Sequence, residues 1–514
     1  MPLPGHLTSG SASLLMRPLS AAIAILSLYI LGGCSDNTAS KAPPLLALTE
    51  CRIPNVDSAV QCAKFEVFEN RETKTGRKIA LNIVVLPASA RIKEPDPIFL
   101  FAGGPGQAAT DLVATAKMIL GTLNTKRDIV FIDQRGTGKS NLLTCKFPTD
   151  DDPDMANADK RRQLTLKLYT ECRDTLAKKA DLTQYGTTTA MADYDEVRAA
   201  LGYDKINLWG ASYGTRSAQE YLRRYPDHVR TVTLDSVASP SLILPENFAR
   251  DAGAGLEATF SACEKSTTCN KDYPTMRADF AAMLVRLDKN PQTVMVTNPL
   301  SGIPQQSTVT RDSVAIAAFS TLYVPQLTAM LPEALKQANL GNYVPLTALS
   351  GGMAEMAEEK IAIGMRMSVS CSEDVPRITP AMRDAADKIE PFRSTFIREF
   401  STACEVWPKG SVAPDFFTPV VSDKPVLILS GGLDPVTPPA FGDEIKKSFS
   451  NSVHFVAPYI GHGTSQQGCG PKIVKQFIEK ASVAELNGDC LKRLPRPTFY
   501  RPMVEKQKNT GDKK

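Results

Sequence analysis

Histidine is scarce in this chain, with four residues among 514, and only His228, His454 and His462 lie beyond the N-terminal region. The eleven cysteines include no C-x-x-C pair. A structural zinc site needs four Cys or His ligands, usually at such short spacings. The sequence therefore predicts no metal site, and no residue pattern in it implies a cofactor.

Strong net charge and long internal apolar runs are also missing. The net charge is only +4, which argues against a dedicated nucleic-acid surface. No apolar run of spanning length follows the N-terminal region, so no internal membrane span is expected. The composition is otherwise globular, with 43% hydrophobic and 22% charged residues. A chain of this length can bury a large core or form two lobes.

The N-terminus has the pattern of an export signal. Arg17 precedes an apolar run over residues 19–31, which leads through two glycines to Cys34. A short apolar segment with small residues before a cleavage site is typical of a secretory signal. The unusual stretch before Met16 leaves either Met1 or Met16 as the start.

A cysteine directly after two glycines resembles the lipobox of bacterial lipoproteins, which implies lipidation of Cys34. A plain signal peptide with a chance cysteine is the alternative. The resemblance also implies sorting to the outer membrane, because Ser35 rather than Asp follows the cysteine. We therefore expect a signal over 1–33, a flexible tether over 34–46 and an exported protein anchored to a bacterial membrane by lipid.

The cysteine count agrees with export. Without Cys34 there are ten cysteines, an even number, and they fall in close sequential pairs. Nearest-neighbour pairing in an oxidising compartment predicts five disulfides, although other pairings stay open. The predicted pairs are Cys51–Cys62, Cys145–Cys172, Cys263–Cys269, Cys371–Cys404 and Cys469–Cys490.

Short apolar runs alternate with helical patterns in the first half of the chain. The run over 97–102 is fully apolar, as in strands that a parallel sheet buries on both faces. This alternation predicts an α/β fold with a mostly parallel sheet. The predicted parts are a core over 47–239 and 421–493, an inserted and mostly helical cap over 240–420, and a basic, frayed tail over 494–514.

A G-x-S-x-G pattern stands at 210–214, between a strand-like run over 205–209 and helical spacing over 213–225. A serine on such a tight strand-to-helix turn has a strained backbone and an exposed hydroxyl. The helix that follows directs its positive end to the place where an oxyanion would form. Ser212 is therefore the predicted nucleophile, with an ordinary turn as the alternative.

Two later strand ends carry side chains that could activate Ser212. Asp434 follows the apolar run 424–430, and His462 lies between two glycines after the run 452–457. The carboxyl ends of parallel strands meet at one edge of a sheet, and the chain order Ser, Asp, His is that of α/β-hydrolases. The sequence predicts a catalytic triad in which His462 is the base and Asp434 orients it.

The run Gly-Gly-Pro-Gly at 103–106 follows a buried strand and predicts an oxyanion hole. Its donors would be the backbone N–H groups of Gly104 and Tyr213, because Pro105 has no N–H. A simple tight turn is the alternative.

Competing interpretations exist for several of these residues. His454 and His228 are the other candidates for the base, and Asp434 could be a turn residue. The sequence Gly-Lys-Ser at 138–140 is similar to the end of a phosphate-binding loop. That pattern needs a glycine where this chain has Asp133, so a nucleotide site is not expected.

Several motifs together resemble the prolyl aminopeptidase group of α/β-hydrolases and its secreted tripeptidyl-aminopeptidase branch. They lie at 103–106, 133–140, 210–214, 369–374, 404–408, 431–435 and 461–463. The resemblance implies a serine exopeptidase that releases residues or short peptides from a free N-terminus beneath a helical cap. The chain departs from the group at Ala102, where prolyl aminopeptidases usually have His.

An aminopeptidase needs a carboxylate to receive the substrate ammonium. Glu373 and Asp374, in the predicted cap, are the hypothetical receptors, with a solvated acidic turn or a structural pair as the alternative. Asp133 and Arg135 are expected to form a structural ion pair that braces their loop.

The sequence thus favours an exported serine hydrolase, most simply an aminopeptidase whose partner is a peptide with a free N-terminus. A carboxylesterase or lipase on the same triad is the first alternative, because the fold does not separate these activities. A catalytically silent binding protein is the second.

Overall fold

The computed structural model describes residues 45–147, 157–297, 302–349 and 361–502. The signal over 1–33, the lipidation of Cys34 and nearly all of the tether over 34–46 fall outside these residues and stay predictions. None of the helices in the described ranges is both long and apolar enough to cross a membrane.

One large sheet contains most of the strands. The strands of the described residues are β1 (Thr49–Cys51), β2 (Val60–Phe68), β3 (Lys78–Leu86), β4 (Ile98–Phe101), β5 (Ile129–Ile132), β6 (Ile206–Ala211), β7 (Val229–Asp235), β8 (Gln292–Thr297), β9 (Pro304–Val309), β10 (Val426–Gly431) and β11 (Ser452–Ala457). Nine of them pair in the order β1-β2-β3-β5-β4-β6-β7-β10-β11. β1, β2 and β3 pair antiparallel with their neighbours, and β5 to β11 in this order are parallel. The predicted α/β fold with a mostly parallel sheet is confirmed.

Helices cover the sheet and build the middle of the chain. The helices before residue 240 are α1 (Val113–Leu120), α2 (Ala158–Ala177), α3 (Thr187–Ala200) and α4 (Tyr213–Arg224). Those of the middle segment are α5 (Phe248–Lys265), α6 (Thr267–Asp272), α7 (Met276–Lys289), α8 (Arg311–Leu322), α9 (Pro325–Thr328), α10 (Leu331–Asn339), α11 (Ile363–Glu373), α12 (Pro380–Ala386) and α13 (Thr395–Val406). The last helices are α14 (Pro439–Lys446), α15 (Gly470–Lys480) and α16 (Asp489–Lys492).

The apolar strand runs are explained by burial on both faces. Along β4, Phe99 and Phe101 belong to one hydrophobic cluster, and Ile98 and Leu100 belong to another. Successive side chains of a strand point to opposite faces, so a strand covered on both sides has no position for a polar residue.

The helical middle segment has a hydrophobic core of its own. Phe260 and Phe280 pack with tilted rings whose centroids are 5.7 Å apart, and the ring centroids of Phe319 and Phe392 lie 6.1 Å apart. These residues belong to a cluster separate from those on the sheet. The segment lies inside the predicted cap over 240–420, whose limits stay a prediction.

The middle segment also contains a β-hairpin, which the helical pattern did not predict. β8 and β9 pair antiparallel with each other and form a separate two-stranded sheet. The residues over 293–296 are Thr, Val, Met and Val, which favour strands. A strand of six residues is too short to be distinguished from a helical pattern by its hydrophobic period.

All five predicted disulfides are present. They join Cys51 to Cys62, Cys145 to Cys172, Cys263 to Cys269, Cys371 to Cys404 and Cys469 to Cys490.

The expectation of a frayed tail is wrong for residues 494–502. Phe499 packs against the core of the cap helices, and the Tyr500 N–H donates to the Ala329 carbonyl at 2.9 Å. The Tyr273 hydroxyl donates to the Tyr500 carbonyl at 2.9 Å. The basic and proline-rich composition of this stretch predicted fraying, but the apolar side chain of Phe499 packs against residues that are distant in sequence.

Candidate active site

Ser212 lies on a strained turn between β6 and α4. Its backbone has φ 57° and ψ −129°, which non-glycine residues rarely adopt. A Cβ on Gly210 would lie 2.4 Å from the Gly214 carbonyl oxygen, and one on Gly214 would lie 2.0 Å from the Phe101 carbonyl oxygen. The two glycines therefore allow strand and helix to approach closely enough to hold the serine in this turn.

Asp434 and His462 form a directed pair. The Nδ1 atom of His462 lies 2.8 Å from Oδ2 of Asp434. The Asp434 carboxylate is buried and accepts the N–H groups of Val436 at 3.0 Å and Thr437 at 2.9 Å, together with the Thr437 hydroxyl at 2.8 Å. These bonds fix the carboxylate, so it orients the imidazole with Nε2 directed away from it.

A residue of the middle segment helps to place the base. The His462 N–H donates to the Tyr323 carbonyl at 3.0 Å, and the two rings meet edge to face at 5.2 Å. Tyr323 caps the C-terminal end of α8. The side chain of His462 stays 18% exposed, so its ring is packed but can still be reached.

Burial and charge act in opposite directions on this pair. Burial lowers the pKa of His462, but the Asp434 and Asp235 carboxylates outweigh it and raise the pKa above its usual 6.5. Burial raises the pKa of Asp434, while His462 and the N–H groups of Thr437 and Val436 bring it below the usual 3.8. The pair therefore favours an ionised acid beside an imidazole that readily accepts a proton.

The turn of the nucleophile and the loop of the base meet at the end of β7. The Ser212 N–H donates to the Asp235 carbonyl at 2.9 Å. The Gly463 N–H, next to His462, donates to the Ser236 hydroxyl at 2.9 Å. The fold therefore brings the three predicted triad residues to the same edge of the sheet, as the strand-end rule predicted.

The predicted oxyanion loop lies against the nucleophile. A Cβ on Gly103 would approach the Ser212 Cβ to 3.2 Å. Gly104 has φ 108°, and its N–H meets no acceptor within the part of the chain that the structure describes. Tyr213 is the first residue of α4, where a backbone N–H has no partner inside the helix. Both predicted donors are thus available for an anion beside Ser212.

The middle segment also contacts the oxyanion loop. Gln107 pairs with Ile361 in an isolated antiparallel bridge, and the Ala362 N–H donates to the Gly106 carbonyl at 2.9 Å. Together with Tyr323, these contacts join the middle segment to the edge of the sheet where the triad residues meet.

A sequence profile of the alpha/beta hydrolase fold family matches residues 96–464, which include the Ser212 turn, Asp434 and His462. The chain belongs to this family.

The curated relatives of this α/β-hydrolase include peptidases. The serine protease Hip1 of Mycobacterium tuberculosis is 23% identical over 478 residues, which cover 86% of this chain and 90% of that protein. The tripeptidyl aminopeptidase of Streptomyces coelicolor is 32% identical over 200 residues, covering 36% of this chain and 37% of the other. Among solved structures, the proline iminopeptidase of Mycobacterium smegmatis aligns with 82% of this chain and 99% of its own at 15% identity, with a TM-score of 0.36.

The hypothesis that Asp374 receives a substrate ammonium disagrees with its contacts. Asp374 is fully buried, and its two oxygens accept from the Arg216 guanidinium at 2.9 and 3.0 Å. The Leu244 N–H donates to the same carboxylate at 3.1 Å. Both oxygens of this carboxylate are engaged inside the protein, so Asp374 forms a structural pair with Arg216.

Glu373 is also engaged inside the protein. It is 2% exposed and accepts the N–H of Thr187 at 2.7 Å and its hydroxyl at 2.9 Å. The Thr187 hydroxyl lies 2.6 Å from that of Tyr213. Burial raises the pKa of Glu373 to about 7, although Arg216 and the Thr187 N–H oppose this. The contacts support the structural alternative for both acidic residues.

The expected ion pair between Asp133 and Arg135 is wrong. The buried Arg135 instead forms two hydrogen bonds to Asp193 at 2.7 and 2.8 Å. Asp133 accepts from the side-chain amide of Asn82 at 2.9 Å and from the Lys139 N–H at 3.0 Å. Both residues brace the loop, but not through each other. Arg135 bonds to a carboxylate that is distant in sequence, and Asp133 bonds to the distant Asn82 and to a backbone N–H.

A second Ser–His–Asp arrangement joins residues of β10, β11 and α14. Nε2 of His454 lies 2.9 Å from the Ser430 hydroxyl, and its Nδ1 lies 2.9 Å from Asp443. Ser430 is fully buried in β10, where no substrate carbonyl can approach it. Accessibility of the serine therefore distinguishes Ser212 from this second array.

The sequence analysis did not identify three residues of the site, namely Thr437, Tyr323 and Asp235. Thr437 and Tyr323 contact Asp434 and His462 but belong to no motif. Asp235 is the last residue of β7, whose sequence is largely apolar, so the strand-end rule could have identified it. No cluster of three or more His, Cys, Asp or Glu side chains suited to a metal ion occurs in the described ranges.

Proposed function

We propose that this serine hydrolase is an exported aminopeptidase that releases N-terminal residues or short peptides through an acyl-enzyme. The observation that carries the proposal is the fixed Asp434–His462 pair at 2.8 Å beside the strained Ser212 turn. Similarity to a serine protease over 86% of the chain supports peptide substrates. The shorter similarity to a tripeptidyl aminopeptidase supports action at a free N-terminus.

The geometry supports a stepwise acyl transfer. Nδ1 of His462 is bonded to Asp434, so Nε2 accepts the proton of the Ser212 hydroxyl while its oxygen attacks the scissile carbonyl. The N–H groups of Gly104 and Tyr213 stabilise the oxyanion. His462 then protonates the leaving amine as the C–N bond breaks, which leaves an ester on Ser212.

Water completes the cycle by the same groups. His462 takes a proton from water, and the hydroxide attacks the ester carbonyl. Collapse of the second tetrahedral intermediate returns the proton to the Ser212 oxygen and releases the peptide with its new carboxylate. The charge on the imidazole is stabilised in both halves by Asp434.

Export and lipid anchoring form part of the proposal. They are supported by the apolar segment before Cys34 and by five disulfides, which persist in oxidising compartments. Mass spectrometry of the N-terminal peptide from native membranes is the direct test. A free thiol at Cys34, or an uncleaved N-terminus, contradicts the proposal.

A matched substrate panel tests the activity. Free and N-acetylated Ala-Ala-Pro and Pro chromogenic amides, with p-nitrophenyl butyrate, are assayed on the full chain and on Ser212→Ala. We expect cleavage of the free-amine amides only, and its loss in Ser212→Ala. Cleavage of p-nitrophenyl butyrate, without any preference for the free over the N-acetylated amides, would assign an esterase. Failure of a fluorophosphonate to label the chain would assign a catalytically silent binding protein.

A further inference from the structure

Asp235 is a buried carboxylate at the junction of the Ser212 turn and the His462 loop, and the triad does not include it. It ends β7, the strand between β6 of the nucleophile and β10 of the acid, and it is 1% exposed. In the sheet it pairs with Ala211, the neighbour of Ser212, and with Leu429.

Its side chain holds the loop that carries the base. Oδ1 accepts the N–H of Thr464 at 2.8 Å, and Oδ2 accepts the N–H of Ser465 at 2.8 Å. Its carbonyl accepts the Ser212 N–H at 2.9 Å. One residue therefore connects the turn of the nucleophile with the loop just after His462.

The neighbouring residue completes the junction. The Ser236 hydroxyl accepts the Gly463 N–H at 2.9 Å, and the Ser236 N–H donates to the Leu429 carbonyl at 2.9 Å. Three consecutive N–H groups after His462 are thus bound by two consecutive residues of one strand end. A displacement of this end moves the imidazole relative to the Ser212 hydroxyl.

The charged and titratable groups that face His462 are few in the described residues. Asp434 bonds to the ring, Asp235 acts on it electrostatically, and the neutral Tyr323 packs against its face. Burial raises the pKa of Asp235, while the N–H groups of its loop and the charge of His462 oppose this. The Asp235 carboxylate acts to raise the pKa of His462, an effect that a neutral side chain bound to the same N–H groups would not have.

We propose that Asp235 is a positioning residue for the acyl transfer. Its carboxylate fixes the loop over 463–465, and its negative charge stabilises the imidazolium that forms when His462 takes the proton of Ser212. The inference rests on the proposed serine hydrolase chemistry, but it does not depend on which acyl group is transferred.

The test measures acylation by a fluorophosphonate from pH 5 to 9 on the full chain and on Asp235→Asn. This probe reports the reactivity of Ser212 as activated by His462, and it does not require the natural substrate to be known. Loss of the Asp235 charge should lower the pKa of His462. The rise of the labelling rate on the acidic side of its pH profile, the acidic limb, should therefore move to lower pH by about 0.5–1 unit. Loss of one loop contact should lower the plateau about tenfold or more.

Two further variants separate charge from position. Ser236→Ala removes a loop contact and no charge, so we expect a lower plateau with an unmoved limb. Asp235→Glu keeps the charge on a longer side chain, so we expect the same pattern. It provides the test if Asp235→Asn does not fold.

Each outcome decides the inference. An acidic limb that stays in place in Asp235→Asn, or one that moves in Asp235→Glu, overturns the electrostatic role. A plateau rate that is unchanged in both Asp235→Asn and Asp235→Glu overturns the positioning role. A wild-type chain that is never labelled refutes the proposed serine hydrolase instead, so the two failures are distinguishable.

Discussion

Nδ1 of His462 and Oδ2 of Asp434 lie 2.8 Å apart, although 28 residues separate them in the chain. The bond uses Nδ1 of the imidazole, so Nε2 is the ring nitrogen that the proposed proton exchange with Ser212 requires. β10 and β11 pair in parallel, so the loops that follow them open at the same edge of the sheet.

Replacing Ser212 by Ala should lower kcat by at least about 10⁴-fold, because the nucleophile is lost while the fold is kept. Ser430→Ala is the matched control, since the Ser430 hydroxyl lies 2.9 Å from Nε2 of His454 but is fully buried. Fluorophosphonate labelling and amide hydrolysis should be retained in this control. Labelling that survives in Ser212→Ala would place the nucleophile elsewhere.

The rate should rise with pH through a midpoint above 6.5. His462 must be neutral to accept the proton, and its pKa is raised by Asp434 and Asp235 against the effect of burial. A higher pKa keeps the imidazole protonated to higher pH, so the acidic limb of kcat/KM moves upward. A limb centred below 6.5 in a pH profile would show that another group is the base.

Glu373→Gln should flatten the pH dependence of stability. The folded-state pKa of Glu373 is about 7, above the ordinary 4.5, because the carboxyl is buried. The folded state therefore favours the protonated form, and this contribution is complete below pH 4.5 and is lost as pH rises through about 7. The loss is at most about 3 kcal/mol, which glutamine, always neutral, does not show. Urea unfolding at pH 5 and pH 8 measures the difference.

The same variant tests whether Glu373 receives the substrate ammonium. Its carboxylate is occupied by Thr187, so KM for free-amine peptides should change less than about twofold in Glu373→Gln. A tenfold or greater rise in KM, with kcat unchanged, would restore Glu373 as the amine receptor.

Gly214→Ala should destabilise the fold by about 3 kcal/mol or more, because the new methyl would lie 2.0 Å from the Phe101 carbonyl oxygen. Gly76→Ala is the control, since its Cβ would meet nothing within 4 Å and only its φ of +77° opposes the change. We expect a cost of about 1 kcal/mol there. Equal unfolding midpoints for the two variants would contradict the close approach of α4 and β4.

A chain ending at Leu494 should lose about 1–3 kcal/mol of stability. It lacks Phe499 and Tyr500, which pack and hydrogen-bond on the cap helices, and Arg501, which pairs with Asp272. A chain ending at Pro502 keeps these contacts and is the control. Thermal unfolding of both chains decides whether the tail stabilises the cap helices.

Much of the fold could be predicted because the decisive signals are local. Fully apolar runs predicted the buried parallel strands, and glycines on both sides of Ser212 predicted its turn. The order of Asp434 and His462 after two such strands predicted their convergence, since the carboxyl ends of parallel strands meet. The five disulfides joined cysteines that are neighbours in sequence. The hairpin of β8 and β9 and the docked tail were missed, because each depends on short segments without a clear period.

The sequence by itself determined the α/β-hydrolase fold and the three residues of the candidate triad, because strand burial and turn geometry leave periodic and local traces. Only the tertiary structure decided which charges are paired. Arg216 meets Asp374 across 158 residues and Arg135 meets Asp193 across 58, and such contacts leave no spacing to read. The same reason hid Tyr323 and the loop contacts of Asp235. Their positions follow from the packing of distant elements, and that packing is fixed by the whole core together.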